Sequence, residues 1–99
     1  MGLYVISWLD RPGGLETRLA TRQAHFDYIA GRPGVLKLGG PFLSEAGEMA
    51  GSLMIVEAES LAVAEAFADA DPYNHAGLYE RREVRPWKAT AGPAAGALA

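Results

Sequence analysis

The sequence contains no cysteine. That absence excludes a disulfide framework, a thiolate metal site and a cysteine nucleophile together. Basic residues number 9 against 12 acidic ones, for a net charge of −3, so the positive patch with which proteins meet nucleic-acid phosphates is missing. No nucleic-acid partner is expected. Long apolar runs are missing as well, since nothing approaches the ~20 residues of a membrane-spanning helix, and Met1 to Leu9 is short and has no basic leader. No membrane association is expected, and a cytoplasmic protein is the default. Two histidines and scattered carboxylates show no ligand spacing, so no metal site is expected either.

What is present is the composition of an ordinary globular domain, 99 residues of which 49% are hydrophobic and 21% charged. A chain of this length buries roughly two-thirds of its unfolded surface. Leu3-Tyr4-Val5-Ile6-Ser7-Trp8-Leu9 is rich in β-branched and aromatic residues, and Asp10-Arg11-Pro12-Gly13-Gly14 closes it with turn formers, which predicts a first strand. From Leu15 to Ala30 the residues Leu15, Leu19, Phe26 and Ile29 fall within about 80° of one another on a wheel turning about 100° per residue. This predicts a helix with that stripe buried. The same wheel puts Arg22 inside the stripe and Arg18 and His25 on its edge, and a guanidinium there needs an acceptor because an unpaired buried charge is costly.

Val35 to Phe42 predicts a second strand, interrupted by Gly39-Gly40-Pro41. Two glycines and a proline weaken a ladder, which points to a bulge or to a ligand approaching the backbone at Gly40 and Pro41. A hairpin loop over Leu43 to Ala50 leads to a third strand, Gly51 to Glu57. Ser60 is a good N-cap for a second helix reaching about Ala70, with Leu61, Ala64, Phe67 and Ala68 on its buried side. Pro72 stops that helix and holds Asp71 at a corner. Tyr79 to Trp87 predicts a fourth strand, charged enough for a sheet edge. The remaining residues, 89–99, are Ala, Gly, Pro and Thr with little else and are expected to form a disordered tail behind a domain spanning 1–88.

The order βαββαβ predicts an α+β, ferredoxin-like fold: a four-stranded antiparallel sheet with two helices on one face. The first and third strands carry apolar residues on both faces. A second copy of the chain is the simplest cover for the face the helices leave bare, which predicts a homodimer.

The polar candidates each have two readings. An acid before proline is a common helix stop that caps the following turn; it is also placed to orient a histidine, and His25 on the first helix is the partner expected for Asp71. His25 is alternatively a helix-flank residue bonded to a carbonyl. His75 is the rival histidine, set lower because the turn after Pro72 is expected to be exposed. Arg22 either anchors a carboxylate of the fold or binds a substrate anion. Ser52 lacks the setting of a nucleophile elbow, so a hydrogen-bonding role is expected. Tyr73 is core, or the wall of a pocket beside Asp71.

Several segments together carry a family resemblance. Arg18-Leu19-Ala20-Thr21-Arg22-Gln23-Ala24-His25-Phe26, Gly39-Gly40-Pro41, Gly51-Ser52, Asp71-Pro72-Tyr73, Ala76-Gly77-Leu78 and Val84-Arg85-Pro86-Trp87 resemble the YCII-related (YciI-like) family of the dimeric α+β barrel superfamily. The resemblance implies a ferredoxin-like subunit that dimerises. It also implies an active site built around His25 and Asp71, with Ser52 and Arg22 at recurrent positions. One branch of that family is similar to dehydrochlorinases or isomerases of chlorinated ring compounds. The Pro41 to Gly51 loop is short and acidic here, so substrate specificity does not transfer.

The expected function is therefore a small cofactor-independent enzyme in which a His25–Asp71 pair moves a substrate proton. Arg22 and Ser52 are expected to bind a polar or anionic group of a small, cyclic metabolite, with Gly40, Pro41 and Tyr73 beside it. The alternative is a non-catalytic small-molecule-binding or accessory domain using the same pocket. A third reading is an oxygen-using barrel enzyme.

Overall fold

Alternation along a pleated strand puts Tyr4, Ile6 and Trp8 on one side of β1 (Gly2–Asp10) and Leu3, Val5 and Leu9 on the other. In the computed structural model, which describes residues 1–98, this two-sided strand lies inside the sheet. Its neighbours are β3 (Met49–Ala58) and β4 (Tyr79–Trp87), and β2 (Leu36–Leu43) forms the far edge. The order is β2-β3-β1-β4 and all pairings are antiparallel. Helices α1 (Leu15–Ala30) and α2 (Leu61–Asp69) cross one face. This is the ferredoxin-like arrangement that the order of segments predicts. Charged β4 takes an edge, as its composition requires.

Between α2 and the sheet lies the core, built on Ile6, Trp8, Met54, Val56, Phe67 and Tyr73. Burying large side chains of this kind supplies about 1.5–3 kcal/mol each, before the entropy of ordering them is set against it. Helix α2 starts where expected, with the Ser60 hydroxyl accepting the Val63 amide at 3.2 Å. Leu61, expected on its buried side, is 38% exposed. Its C-terminal residue Asp69 pairs with Arg82 of β4, tying helix to edge strand.

At the junction of β1 and β3 the backbones come close. A Cβ on Gly51 would meet the Trp8 carbonyl inside contact distance, with Phe42 3.0 Å away and the Leu9 Cα 3.2 Å away. Strand β2 lies one residue later than predicted and β3 begins earlier, at Met49, so the loop shrinks to Ser44–Glu48, closed by a Ser44–Glu48 backbone bond of 2.8 Å and a positive φ at Gly47. The ladder between β2 and β3 slips at Leu36/Leu38 and again at Phe42/Leu43.

Helix α1 corrects the sequence reading. Only part of its apolar stripe faces the core: Ile29 packs against it, but Leu19 is 53% and Phe26 48% exposed, whereas Arg18 and His25 are buried. Relative to the stripe the helix is rolled by about a quarter of a turn. Polar partners explain the roll, because Asp10 and Asp71 wait beneath Arg18 and His25.

The opposite face of the sheet carries Leu38, Ile55, Val5 and Leu9 across its strands. Leu38 is 56% and Leu9 47% exposed. Apart from a terminal turn, α4 (Ala95–Leu98), whose Leu98 lies near Leu3 and Trp87, no described element covers it. The segment after Trp87, expected to be disordered, runs irregularly into that turn; Ala99 lies outside the described residues.

Candidate functional site

The corner after α2 builds the site's centre. Asp71 has extended backbone, with φ −63° and ψ 133°, and caps the one-turn helix α3 (Pro72–His75). Its Oδ1 accepts the Tyr73 amide at 2.9 Å and also meets His25 Nδ1 at 2.9 Å. The helix stop and the histidine partner are thus the same oxygen. An oxygen already accepting an amide proton accepts again, so Nδ1 is the donor in this contact, and in the neutral form of the ring the lone pair belongs to Nε2. Among the described residues Nε2 has no hydrogen-bond partner, and His25 lines a cavity.

Tyr73 stacks on the His25 ring, centroids 4.2 Å apart and planes 21° from parallel. Asp71 is fully buried behind the pair, and among the described residues its Oδ2 has no partner. Burial pushes the Tyr73 phenol above its ordinary value, with Arg18 opposing the rise.

A second polar cluster adjoins the first. Arg18 Nε donates to Asp10 Oδ2 at 2.7 Å and its Nη2 to Asp10 Oδ1 at 3.0 Å, a two-pronged pairing. The same Nη2 reaches Ser52 Oγ at 2.8 Å, and Trp8 Nε1 donates to Asp10 Oδ1 at 3.0 Å. The guanidinium stands 4.9 Å from the centre of the Tyr73 ring.

Both clusters open on a cavity of about 180 Å³ between α1, α3 and the β2–β3 hairpin. Its walls are mainly apolar, from Phe26, Ile29, Leu36, Met49 and Met54, interrupted by Arg18, Arg22, His25 and Ser52. Gly39, Gly40 and Pro41 form the hairpin side. A Cβ on Gly39 would lie 3.4 Å from Met54 and Leu36, so glycine there keeps the cavity open.

Six of the residues singled out from sequence therefore share one cavity: Arg22, His25, Gly40, Pro41, Ser52 and Tyr73. Asp71 stands immediately behind His25. His75 is exposed.

Of the two readings of Arg22, the anchor for a carboxylate of the fold requires correction. It is exposed, its guanidinium 5.2 Å from the Phe26 ring centre, and it makes no ion pair among the described residues. The roll of α1 makes Arg18 the buried arginine instead. Arg18 and Asp10 were missed, although both left a signal: Arg18 lies seven residues, about two helical turns, before His25, and Asp10 continues the Ile6-Trp8 alternation onto the helix side. Among the described residues no three metal-ligating side chains converge, and no helix is long and apolar enough to cross a membrane.

Comparison with known proteins bears on the chain as a whole. The family model of the YCII-related domain matches residues 2–88. Protein YciI of Escherichia coli is 42% identical over 94 residues, covering 87% of this chain and 96% of that protein. An uncharacterised protein of Haemophilus influenzae is 36% identical over 96 residues, covering 86% and 95%. Among solved structures, 5-chloro-2-hydroxyhydroquinone dehydrochlorinase (TftG) of Burkholderia phenoliruptrix, in complex with 2,5-dihydroxybenzoquinone, superposes with a TM-score of 0.84 at 34% identity, covering 89% of this chain and 95% of that one. An antibiotic biosynthesis monooxygenase shares the fold alone, with a TM-score of 0.57 at 10% identity and coverage of 92% and 100%.

Proposed function

The chain belongs to the YCII-related family, and on that premise we propose that it is a small cofactor-free enzyme in which His25 moves a proton of a ring-shaped substrate. The observation that carries this reading is the buried His25–Asp71 contact of 2.9 Å, with the other imidazole nitrogen open to a cavity. Asp71 orients the ring and stabilises the imidazolium once the proton arrives.

A chlorinated hydroquinone, the substrate class named for the Burkholderia relative, suits a small, mostly apolar cavity lined by two arginines. In the keto form of such a ring, Nε2 takes the proton of a C–H bond. The electron pair left behind forms a C=C bond, the C–Cl bond on the adjoining carbon breaks, and chloride leaves with that bond's pair. Arg18 inside and Arg22 at the mouth lie where negative charge develops. Ser52, held by Arg18, and the Gly40-Pro41 wall confine the ring beside His25. The imidazolium then returns its proton to solvent. Without a halide, the same proton step gives isomerisation.

The test is chloride release from 5-chloro-2-hydroxyhydroquinone by the purified chain. His25→Ala is expected to abolish release with the circular dichroism unchanged, and Asp71→Asn to reduce it severely, since Asn preserves the cap to the Tyr73 amide while removing the charge. Chloride release retained by His25→Ala would sink the assignment. Binding without turnover by the parent chain would favour the accessory-domain alternative.

The bare apolar sheet face supports a further part of the proposal, that two copies of the chain pack face to face there as a homodimer.

A further inference from the structure

Two buried polar side-chain atoms have no hydrogen-bond partner among the described residues: Oδ2 of Asp71 and the hydroxyl of Tyr79. Their needs are complementary, because the carboxylate oxygen lacks a donor and the phenol lacks an acceptor. They also belong to one region of the core. The Tyr79 ring lies 4.3 Å from Trp8, centre to centre, Trp8 meets the Tyr73 ring at 6.1 Å, and the Tyr73 amide is held by the other oxygen of Asp71. Among charged groups it is Asp71 that acts most strongly on the Tyr79 phenol. Buried polar groups left without protein partners are where internal waters reside, each usually making two to four hydrogen bonds. Tyr28 offers a further partner nearby: its hydroxyl donates to the Phe67 carbonyl at 2.8 Å and keeps lone pairs to accept with.

We propose that one internal water joins the Tyr79 hydroxyl to Oδ2 of Asp71, making Tyr79 a positioning residue for the His25–Asp71 pair. The positioning role rests on the reading of that pair as the working site; the water does not. Oδ1 of Asp71 serves both the Tyr73 amide and His25 Nδ1, so a small rotation of the carboxylate would weaken both. A water on Oδ2 opposes that rotation. Burial keeps the Tyr79 phenol protonated well beyond the ordinary tyrosine range, with the Asp71 charge adding to the effect and Arg82 opposing it. The hydroxyl is therefore a donor at every pH where the protein would work.

A high-resolution crystal structure of the full chain, together with the Tyr79→Phe variant, tests this. In the parent, a water within hydrogen-bond distance of both atoms is expected. In Tyr79→Phe the water should be lost, the thermal midpoint should fall by about 4–8 °C, the equivalent of one hydrogen bond in a domain of this size, and the His25 ring nitrogens should shift in NMR toward mixed tautomers. A merely structural hydroxyl would leave those nitrogens unmoved. A parent map with no water touching both atoms overturns the proposal. So does a Tyr79→Phe midpoint that rises, as removal of a dry, unpartnered hydroxyl would make it, or unmoved His25 nitrogens. Activity retained by His25→Ala would instead remove the catalytic reading and leave the water in place, so the two failures are told apart.

Discussion

Arg18 is a cation taken almost wholly out of water, with side-chain exposure of 4% against 5% for its partner Asp10. Breaking such a pair leaves one charge buried alone, which costs about 3–5 kcal/mol. Asp10→Ala should lose stability on that scale in urea unfolding, while Arg18→Met combined with Asp10→Leu should recover most of it; a single variant within 1 kcal/mol of the parent, on the same scale, would show that Arg18 finds water instead. Alkali probes the phenols. Tyr28, Tyr73 and Tyr79 are all raised, chiefly by burial, so the folded chain keeps protons that the unfolded chain releases near pH 10. Stability from these groups is present in full below about pH 10 and is lost as pH climbs through the folded values. Urea midpoints should be flat from neutral pH to about 9 and fall steeply above 10, less steeply in Tyr79→Phe. At this scale the residues alone left Asp71 and His25 each with a structural and a functional reading, and it was the family resemblance that favoured pairing them. Arg18 was hidden, because its acceptor Asp10 looked like the start of a turn.

Single elements show where hydrophobic periodicity fails as a guide. The stripe on α1 exists, yet hydrogen-bonded partners under Arg18 and His25 outweighed about half-exposing Leu19 and Phe26. A moment argument counts apolar residues and is blind to acceptors elsewhere in the chain. The order of elements along the chain and the helix ends were read more securely, since turn formers and the Ser60 cap act locally. Gly51 is a local requirement of another kind, set by the approach of β1. Gly51→Ala should destabilise by about 1–3 kcal/mol through overpacking, measured by thermal unfolding. Gly40→Ala, whose Cβ would meet nothing within 4 Å, should stay within about 0.5 kcal/mol of the parent. Equal losses at the two sites would refute the close-approach account.

For the molecule as a whole, apolar residues on both faces of β1 and β3 pointed to a missing layer, and the sheet leaves that face bare. Sequence showed the excess of apolar surface but not its shape, which depends on the register of four strands. A stable dimer needs about 800 Å² of surface from each partner. Replacing the half-exposed Leu9 and Leu38 together by Lys removes apolar contact and adds like charge on one face. The parent should sediment at twice the mass of one chain and the double variant as a monomer, with its circular dichroism kept. A monomeric parent at micromolar concentration would end the dimer proposal.

The shared oxygen of Asp71 has a consequence for motion. Because Oδ1 holds both the Tyr73 amide and His25 Nδ1, an opening of the corner that swings the Asp71 carboxylate away exposes that amide and releases the imidazole together. Hydrogen exchange at the Tyr73 amide then reads, without any substrate, the fraction of molecules whose histidine is unlatched. Temperature or solvent conditions that speed this one exchange rate should disarm the site well before the sheet melts.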